Sequence, residues 1–252
     1  MTPLEKSSFG ASVWLKREDT HELGAFKWRG ALPTLAGYGD VGTVVTASTG
    51  NHGAATAWAA GQLGLRAVVF VPERASATKL AYIERLGAEI RRECADMDEA
   101  KELGQAEATR RGVPFFEDGA EPAQYEGYAA IGDELLDQIG RTLAAVVVPV
   151  GNGALLGGIG RAVKARSPET LRVGVVAAAA PVMADSWEAG RAVPSDESAT
   201  SFTTGRRRRR SRNYSTPPET NAKPSELRLS TPWSSKRATS GRSKNVRGSF
   251  GS

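Results

Sequence analysis

Val44-Val45-Thr46-Ala47-Ser48-Thr49-Gly50-Asn51-His52-Gly53 sets a buried strand directly against a small polar loop, and an alanine-rich helical stretch from Ala54 to Leu63 follows. A strand that runs through such a loop into a helix is the repeating unit of an α/β protein. It is also an anion site in outline. The first N–H groups of the helix have no partner within it, and the helix dipole adds positive potential there. Ser48, Thr49 and Asn51 add side-chain donors suited to a carboxylate or a phenolate oxygen.

On the N-terminal side, Lys16-Arg17-Glu18-Asp19-Thr20-His21-Glu22-Leu23-Gly24-Ala25-Phe26-Lys27-Trp28-Arg29-Gly30-Ala31 couples a short strand and a glycine-bearing loop to a lysine at the mouth of a helix. An amine becomes a nucleophile when burial or a neighbouring cation disfavours its charged form. Arg29, with apolar Phe26 and Trp28, is expected to do both for Lys27. Taken alone, the segment reads equally well as one more surface lysine among 33 basic residues. On the C-terminal side, the apolar run Ala144 to Val150 opens into Gly151-Asn152-Gly153-Ala154-Leu155-Leu156-Gly157-Gly158 and a helix. Small residues let the backbone close around a phosphate, although tight strand-to-helix turns also use glycine for steric reasons alone. No Lys-Ser or Lys-Thr pair follows, so the nucleotide phosphate-loop signature is absent, and the spacing fails as a dinucleotide fingerprint.

Together the three segments resemble the fold-type II pyridoxal-phosphate-dependent enzymes of the tryptophan synthase beta superfamily, of the threonine/serine dehydratase and serine racemase kind. The resemblance begins at Thr2-Pro3-Leu4 and runs to about Gly205. Gly24-Ala25-Phe26-Lys27-Trp28-Arg29-Gly30-Ala31 points to the dehydratase-like branch, because threonine and cysteine synthases usually carry an aspartate where this chain has Trp28. The resemblance implies an α/β architecture of two doubly wound parallel-sheet domains. A large domain would come from residues 1–37 and 129–205, and an inserted small domain from 38–128, with the site in the cleft between them.

The resemblance also implies roles. Lys27 would hold pyridoxal 5'-phosphate covalently and then move the substrate's α-proton. Asn51 would sit beside the cofactor's ring hydroxyl. Ser48, Thr49, Gly50, Asn51 and His52 would grip the substrate carboxylate, and Gly151, Asn152, Gly153, Ala154 and Leu155 would cradle the phosphate. The cofactor is the electron sink, and the protein supplies attachment, orientation and placed dipoles. His52 reads as a residue that orients a neighbour or fills space rather than as a general base. The implied reaction is loss of water and then ammonia from a β-hydroxy amino acid such as threonine or serine, giving a 2-oxo acid. A racemase or a β-replacement synthase on the same scaffold is the alternative within the enzyme class. The partners implied are a small amino-acid substrate and further copies of the chain in a homo-oligomer.

Departures from the family pattern carry expectations too. The phosphate loop is usually a near-continuous glycine run, which Asn152 and Ala154 interrupt here; Asn tolerates positive φ, so a working loop is retained. Ala180 stands where some members place a cation-binding carboxylate. Asp185 alone cannot satisfy a hard cation that wants several oxygens, so no metal is expected.

The end of the chain departs most. Residues 206–252 hold 13 Lys+Arg against 2 Asp+Glu, a net of +11; against the whole-chain +5, that leaves −6 for residues 1–205. This Arg/Ser-rich tail, with no helical or strand period, is expected to be disordered, since its scattered apolar residues cannot offset the entropy of ordering. A reading-frame shift near Gly205 would account for it and would leave the large domain incomplete, with weak or no turnover. The rival is a basic arm for a polyanion, built on Arg206 to Arg210. Nothing else in the chain suits nucleic acid, so that partner is not expected.

Strand-like runs fall at Ser12–Leu15, Thr43–Ala47, Ala67–Val71, Glu89–Arg92, Pro114–Phe116, Ala145–Val150 and Arg172–Ala177, with helical patterns near 27–37, 51–63, 76–87, 96–111, 123–139, 154–166 and 182–190. The alternation predicts mostly parallel sheets covered on both faces. The single cysteine, Cys94, rules out an intrachain disulfide and suits a cytoplasmic location. No apolar run is long enough to span a bilayer, and Met1 to Lys6 lacks the features of a signal peptide.

Overall fold

The computed structural model describes residues 1–8, 10, 12–178 and 180–193, together with the backbone of residues 227–230. The chain opens with β1 (Leu4–Lys6) and β2 (Trp14–Lys16), an antiparallel pair, and continues into α1 (Trp28–Gly37). Then follow β3 (Thr43–Ala47), α2 (Asn51–Gln62), β4 (Arg66–Pro72), α3 (Ala77–Arg85), β5 (Glu89–Cys94), α4 (Met97–Arg111) and α5 (Pro122–Ile139). The last elements are β6 (Ala145–Pro149), α6 (Ala154–Arg166), β7 (Leu171–Val175), α7 (Val182–Ala189) and β8 (Leu227–Ser230). Two three-stranded parallel sheets result, ordered β3-β4-β5 and β6-β7-β8. Among the described residues no helix is long and apolar enough to cross a membrane.

Side-chain alternation explains why the first sheet is buried on both faces. Val44, Ala67, Val69 and Val71 point into a core with α1, α2 and α3, whereas Val45, Ala47, Val68 and Phe70 point into a second core with α4. The second sheet differs. Val148 is buried with Leu156, Ile159 and Val163 of α6 and Ile131 of α5, but its neighbour Val147, on the opposite face, is 63% exposed. β6 is an edge strand of that sheet among the described residues.

Helix boundaries follow local chemistry. Asp96 caps α4 by accepting the Glu99 N–H at 2.9 Å, and Gly112 ends it in the left-handed region at φ 66°. Glu121 and Gln124 form a reciprocal capping box ahead of α5, whose first residue is Pro122. Pro33 lies inside α1 and has no N–H to give to the Arg29 carbonyl one turn back. That carbonyl is where α5 approaches most closely: a Cβ added to Gly127 would lie 1.8 Å from it. Proline and glycine together let the two helices meet backbone to backbone.

Several sequence expectations are corrected. Leu4–Lys6 was not expected as a strand, and its partner is Trp14–Lys16 rather than Ser12–Leu15. Pro114–Phe116 gives only one isolated parallel bridge, Phe115 to Val45, because the chain turns away at Glu117-Asp118-Gly119, with Gly119 at φ 84°. Within the tail, residues 227–230 pair with β7 in parallel as one four-residue strand. The remainder of 206–252, including Arg206 to Arg210, and the segment Ser198 to Gly205 lie outside the described residues.

Candidate functional site

Ser48 to Gly53 lie where β3 ends and α2 begins. Gly50 is the N-cap residue of α2, with an extended backbone, and its N–H is given to Ser48 Oγ at 3.2 Å. Asn51 is exposed and begins the helix; Ser48 and Thr49 are half-buried. A Cβ on Gly53 would lie 2.8 Å from the Ser48 carbonyl oxygen, so glycine there lets the loop fold tightly against the helix. His52 is buried, its ring 4.5 Å from that of Phe116, with Nε2 3.1 Å from the Phe116 carbonyl oxygen. That oxygen takes the Nε2 proton, leaving Nδ1 3.7 Å from Asp118 Oδ1. Burial lowers the His52 pKa, against the attraction of Asp118, so the ring is neutral near pH 7.

Lys27 is the N-cap residue of α1, and its side chain is 13% exposed. Nζ donates to Asp118 Oδ1 at 2.5 Å and lies 5.4 Å from the Phe26 ring centroid and 5.9 Å from that of Tyr128. The expected neighbouring cation is not the partner of this amine. Arg29 turns to Glu18 and Glu134, with five hydrogen bonds of 2.8–3.0 Å to those carboxylates and Thr2 Oγ1. Trp28 is sandwiched between the His21 ring at 4.5 Å and the Arg29 guanidinium at 4.7 Å. The apolar walls beside Lys27 are therefore Phe26 and Tyr128, and its charge partner is an anion. The loop before it is fastened to α2, where Trp58 Nε1 donates to Glu22 Oε1 at 2.5 Å.

The third segment lies between β6 and α6. Gly153 is the N-cap residue of α6 at φ 89°, a conformation glycine adopts without strain. Gly151 is exposed, and an added Cβ would meet nothing within 4 Å. Asn152 reaches in two directions: Oδ1 accepts the Ala154 N–H at 3.2 Å, and Nδ2 donates to the Asp118 carbonyl oxygen at 3.1 Å. Ala154 is buried and Leu155 half-buried.

Asp118 thus joins Lys27, His52 and Asn152, and the sequence reading missed it. Burial works against its carboxylate, but positive charge on His52 and Lys27, with hydrogen bonds from Lys27 and Asn152, outweighs burial and holds it below the usual carboxylate range. His52, neutral near pH 7, contributes only once protonated, which leaves Lys27 as the effective partner. Gly119 is held from α5 on both sides, its N–H donating to Gln124 Oε1 at 2.8 Å and its carbonyl accepting from Tyr125 Oη at 2.9 Å. The signal available was position: Phe116 N–H bonds the Val45 carbonyl at 2.7 Å, so Glu117-Asp118 follows a strand-like end in register with Ser48. Tyr128 was also missed. It is fully buried beside Lys27, and its hydroxyl has no hydrogen-bond partner. A cavity of about 510 Å³ lies between α4 and Glu117–Glu121, apart from Lys27 and the 151–155 loop.

The chain is similar to known proteins in sequence and in fold. The family "pyridoxal-phosphate dependent enzyme" matches residues 1–220. An L-threonine ammonia-lyase of Thermotoga maritima is 33% identical over 186 residues, 73% of this chain. The chain spans 46% of that relative's length. Among solved structures, the processed form of threonine deaminase isoform 2 from Solanum lycopersicum is similar with a TM-score of 0.74 and 28% identity, over 77% of this chain and 55% of that one. Maize serine racemase is similar with a TM-score of 0.72 and 28% identity, over 76% and 60%. With the family match extending over most of its length, the chain belongs to the pyridoxal-phosphate-dependent enzymes.

Proposed function

We propose that this chain attaches pyridoxal phosphate through Lys27 and is built for the dehydration and deamination of a β-hydroxy amino acid, threonine or serine, to a 2-oxo acid and ammonia. The observation that carries the reading is a largely buried amine at the N-terminus of α1, walled by Phe26 and Tyr128. The residues fit the cofactor. The first turn of α6, entered through Gly151 and Gly153, presents N–H groups that have no helical partner, as a phosphate requires. The Tyr128 hydroxyl, buried without a partner, is a polar group unused by the protein itself. One feature competes with a phosphate: the Ala154 N–H is already taken by Asn152 Oδ1.

When bound, pyridoxal phosphate supplies an electron sink that acidifies the α-proton of an attached amino acid. The chain's residues do the rest. Lys27 Nζ would hold the cofactor and would serve as the base for the substrate's α-proton. The first turn of α2, with Ser48, Thr49 and Asn51, binds the substrate carboxylate through N–H and side-chain donors. Gly151 to Leu155 would hold the phosphate, and the rings of Phe26 and Tyr128 shield the amine from water.

The likeness to maize serine racemase favours a second reading, in which the proton is returned to the opposite face and no water is lost. The deciding experiment incubates the full chain with pyridoxal phosphate, reduces with borohydride, maps the modified peptide, and assays 2-oxo acid from threonine and serine. A pyridoxyl group on Lys27, absent in Lys27→Ala, together with 2-oxo acid supports the lyase. The same adduct with inversion of configuration and no 2-oxo acid supports the racemase. An adduct without either product means a non-catalytic binder, and a folded chain with no adduct overturns the reading.

A further inference from the structure

The loop Asp118-Gly119 lies between the amine and the phosphate-loop candidates and is fastened to both. Its carboxylate takes the Lys27 ammonium at 2.5 Å, and its carbonyl takes Asn152 Nδ2 at 3.1 Å. Asn152 Oδ1 meanwhile occupies the Ala154 N–H in the first turn of α6. Gly119 is required for this fit, since a Cβ there would lie 2.6 Å from Asn152 Nδ2 at a φ of 84°. Gln124 and Tyr125 of α5 hold the backbone of Gly119, the residue after Asp118. The side chain that fastens the loop is therefore the same one that blocks an N–H group needed by a phosphate.

We propose that Asp118 is a positioning residue for Lys27, holding its amine as a paired ammonium in a loop fastened by Asn152 until a phosphate-bearing ligand claims the first turn of α6. The proposal rests on the reading of Lys27 as the cofactor lysine. An anion competing for the Ala154 N–H displaces Asn152 Oδ1, which frees the Asn152 side chain to release the Asp118 carbonyl and lets the loop withdraw its carboxylate. Lys27 is then freed from its ion pair. The other titratable groups around it are His52 from α2, Tyr125 and Tyr128 from α5, and Lys101 of α4 paired at 3.3 Å with Glu117 of the loop itself. Asp118 is the one carboxylate among them in contact with the amine.

The test uses the full chain and borohydride-trapped pyridoxyl on Lys27, quantified at one near-neutral pH. An anion paired with an amine holds it in the charged, non-nucleophilic form, so removing the anion raises the yield of adduct. Asp118→Asn is expected to raise that yield severalfold with pyridoxal phosphate, and Asp118→Glu to keep the wild-type yield. An unchanged yield in a folded Asp118→Asn, with a normal wild-type adduct, overturns the proposal and leaves the cofactor reading intact. No wild-type adduct removes the cofactor reading first. A second arm needs no variant: labelling of wild-type Lys27 by pyridoxal lacking the phosphate is expected to rise severalfold when inorganic phosphate is added. Labelling indifferent to phosphate shows that the α6 turn and Lys27 are uncoupled, and the proposal fails.

Discussion

Lys27 and Arg29 stand two positions apart at the start of α1, are both largely buried, and have opposite surroundings. Arg29 meets two carboxylates and a hydroxyl, and Glu134 of that group also receives Lys16 Nζ at 2.7 Å. Lys16 in turn bonds the Thr2 carbonyl at 2.7 Å and Gln138 Oε1 at 2.9 Å. Every strong donor in the cluster is used, and it ties the N-terminal hairpin, α1 and α5 into one block. Lys27 has a single carboxylate partner, a neighbouring hydroxyl with no partner at all, and the open ends of two helices on its side of the fold. A saturated polar cluster specifies structure, whereas an unsaturated one leaves chemistry to be completed by a ligand.

The same substitution at the two positions separates these roles most sharply. Arg29→Met strands Glu18 and Glu134 at a buried site and is expected to cost about 3–5 kcal/mol in urea unfolding. Lys27→Met leaves only Asp118, 34% exposed, and is expected to cost about 1 kcal/mol while abolishing the pyridoxyl adduct. Equal losses at the two sites would erase the distinction. The Arg29 cluster also predicts a pH signature. Burial pushes the Glu134 carboxyl up, but the Arg29 and Lys16 hydrogen bonds outweigh it and bring it down to about 2. Because its folded value lies below the unfolded one, this stabilisation is fully present above the ordinary carboxylate range. It is lost as pH falls from that range toward 2, and Arg29→Met is expected to flatten that limb of the unfolding curve.

Much of this architecture was legible because it depends on local pattern. The apolar runs Val44 to Ala47 and Ala67 to Val71, and the helical patterns between the strands, placed those elements within a residue or two. The lysine and both helix-entry loops carried their own motifs. What was not legible depends on approach between distant segments. Asp118 reaches Lys27 only because Phe116 is hydrogen-bonded beside Val45, and an acidic residue in a turn has no periodicity to mark it. Arg29 looked like a neighbour of Lys27 by sequence spacing, yet a helix start sends successive side chains to different faces, and Glu18 and Glu134 were there to receive it. The pairing of residues 227–230 with β7 likewise rests on backbone geometry that no side-chain period announces.

Both clusters depend on α1 and α5 meeting at Gly127, so a methyl group there tests whether they are mechanically joined. With 1.8 Å available between an added Cβ and the Arg29 carbonyl oxygen, Gly127→Ala must push the helices apart. A loss of about 1–3 kcal/mol in urea unfolding is expected. Its use is in what accompanies the loss. If α5 moves as a unit, it carries Gln124 and Tyr125 with it, and the Asp118 loop is released. Labelling of Lys27 should then rise even as stability falls. A loss of stability with unaltered labelling would mean the Lys27 side of the helix pair yields independently of the Arg29 side.

Tyr128→Phe gives the smallest expected effect and the finest test of the contrast. A buried hydroxyl without a partner contributes nothing to offset its desolvation, so removing it is expected to leave stability unchanged or raise it by up to about 1 kcal/mol. The ring would stay against Lys27 and Phe26, 5.3 Å from the latter's centroid, so the packing term is preserved. If the hydroxyl is kept for a ligand, the variant should be as stable as the parent but bind pyridoxal phosphate less tightly. A clear loss of stability would mean that the hydroxyl already serves the protein, and the Lys27 side would then be nearer to the saturated condition of the Arg29 side.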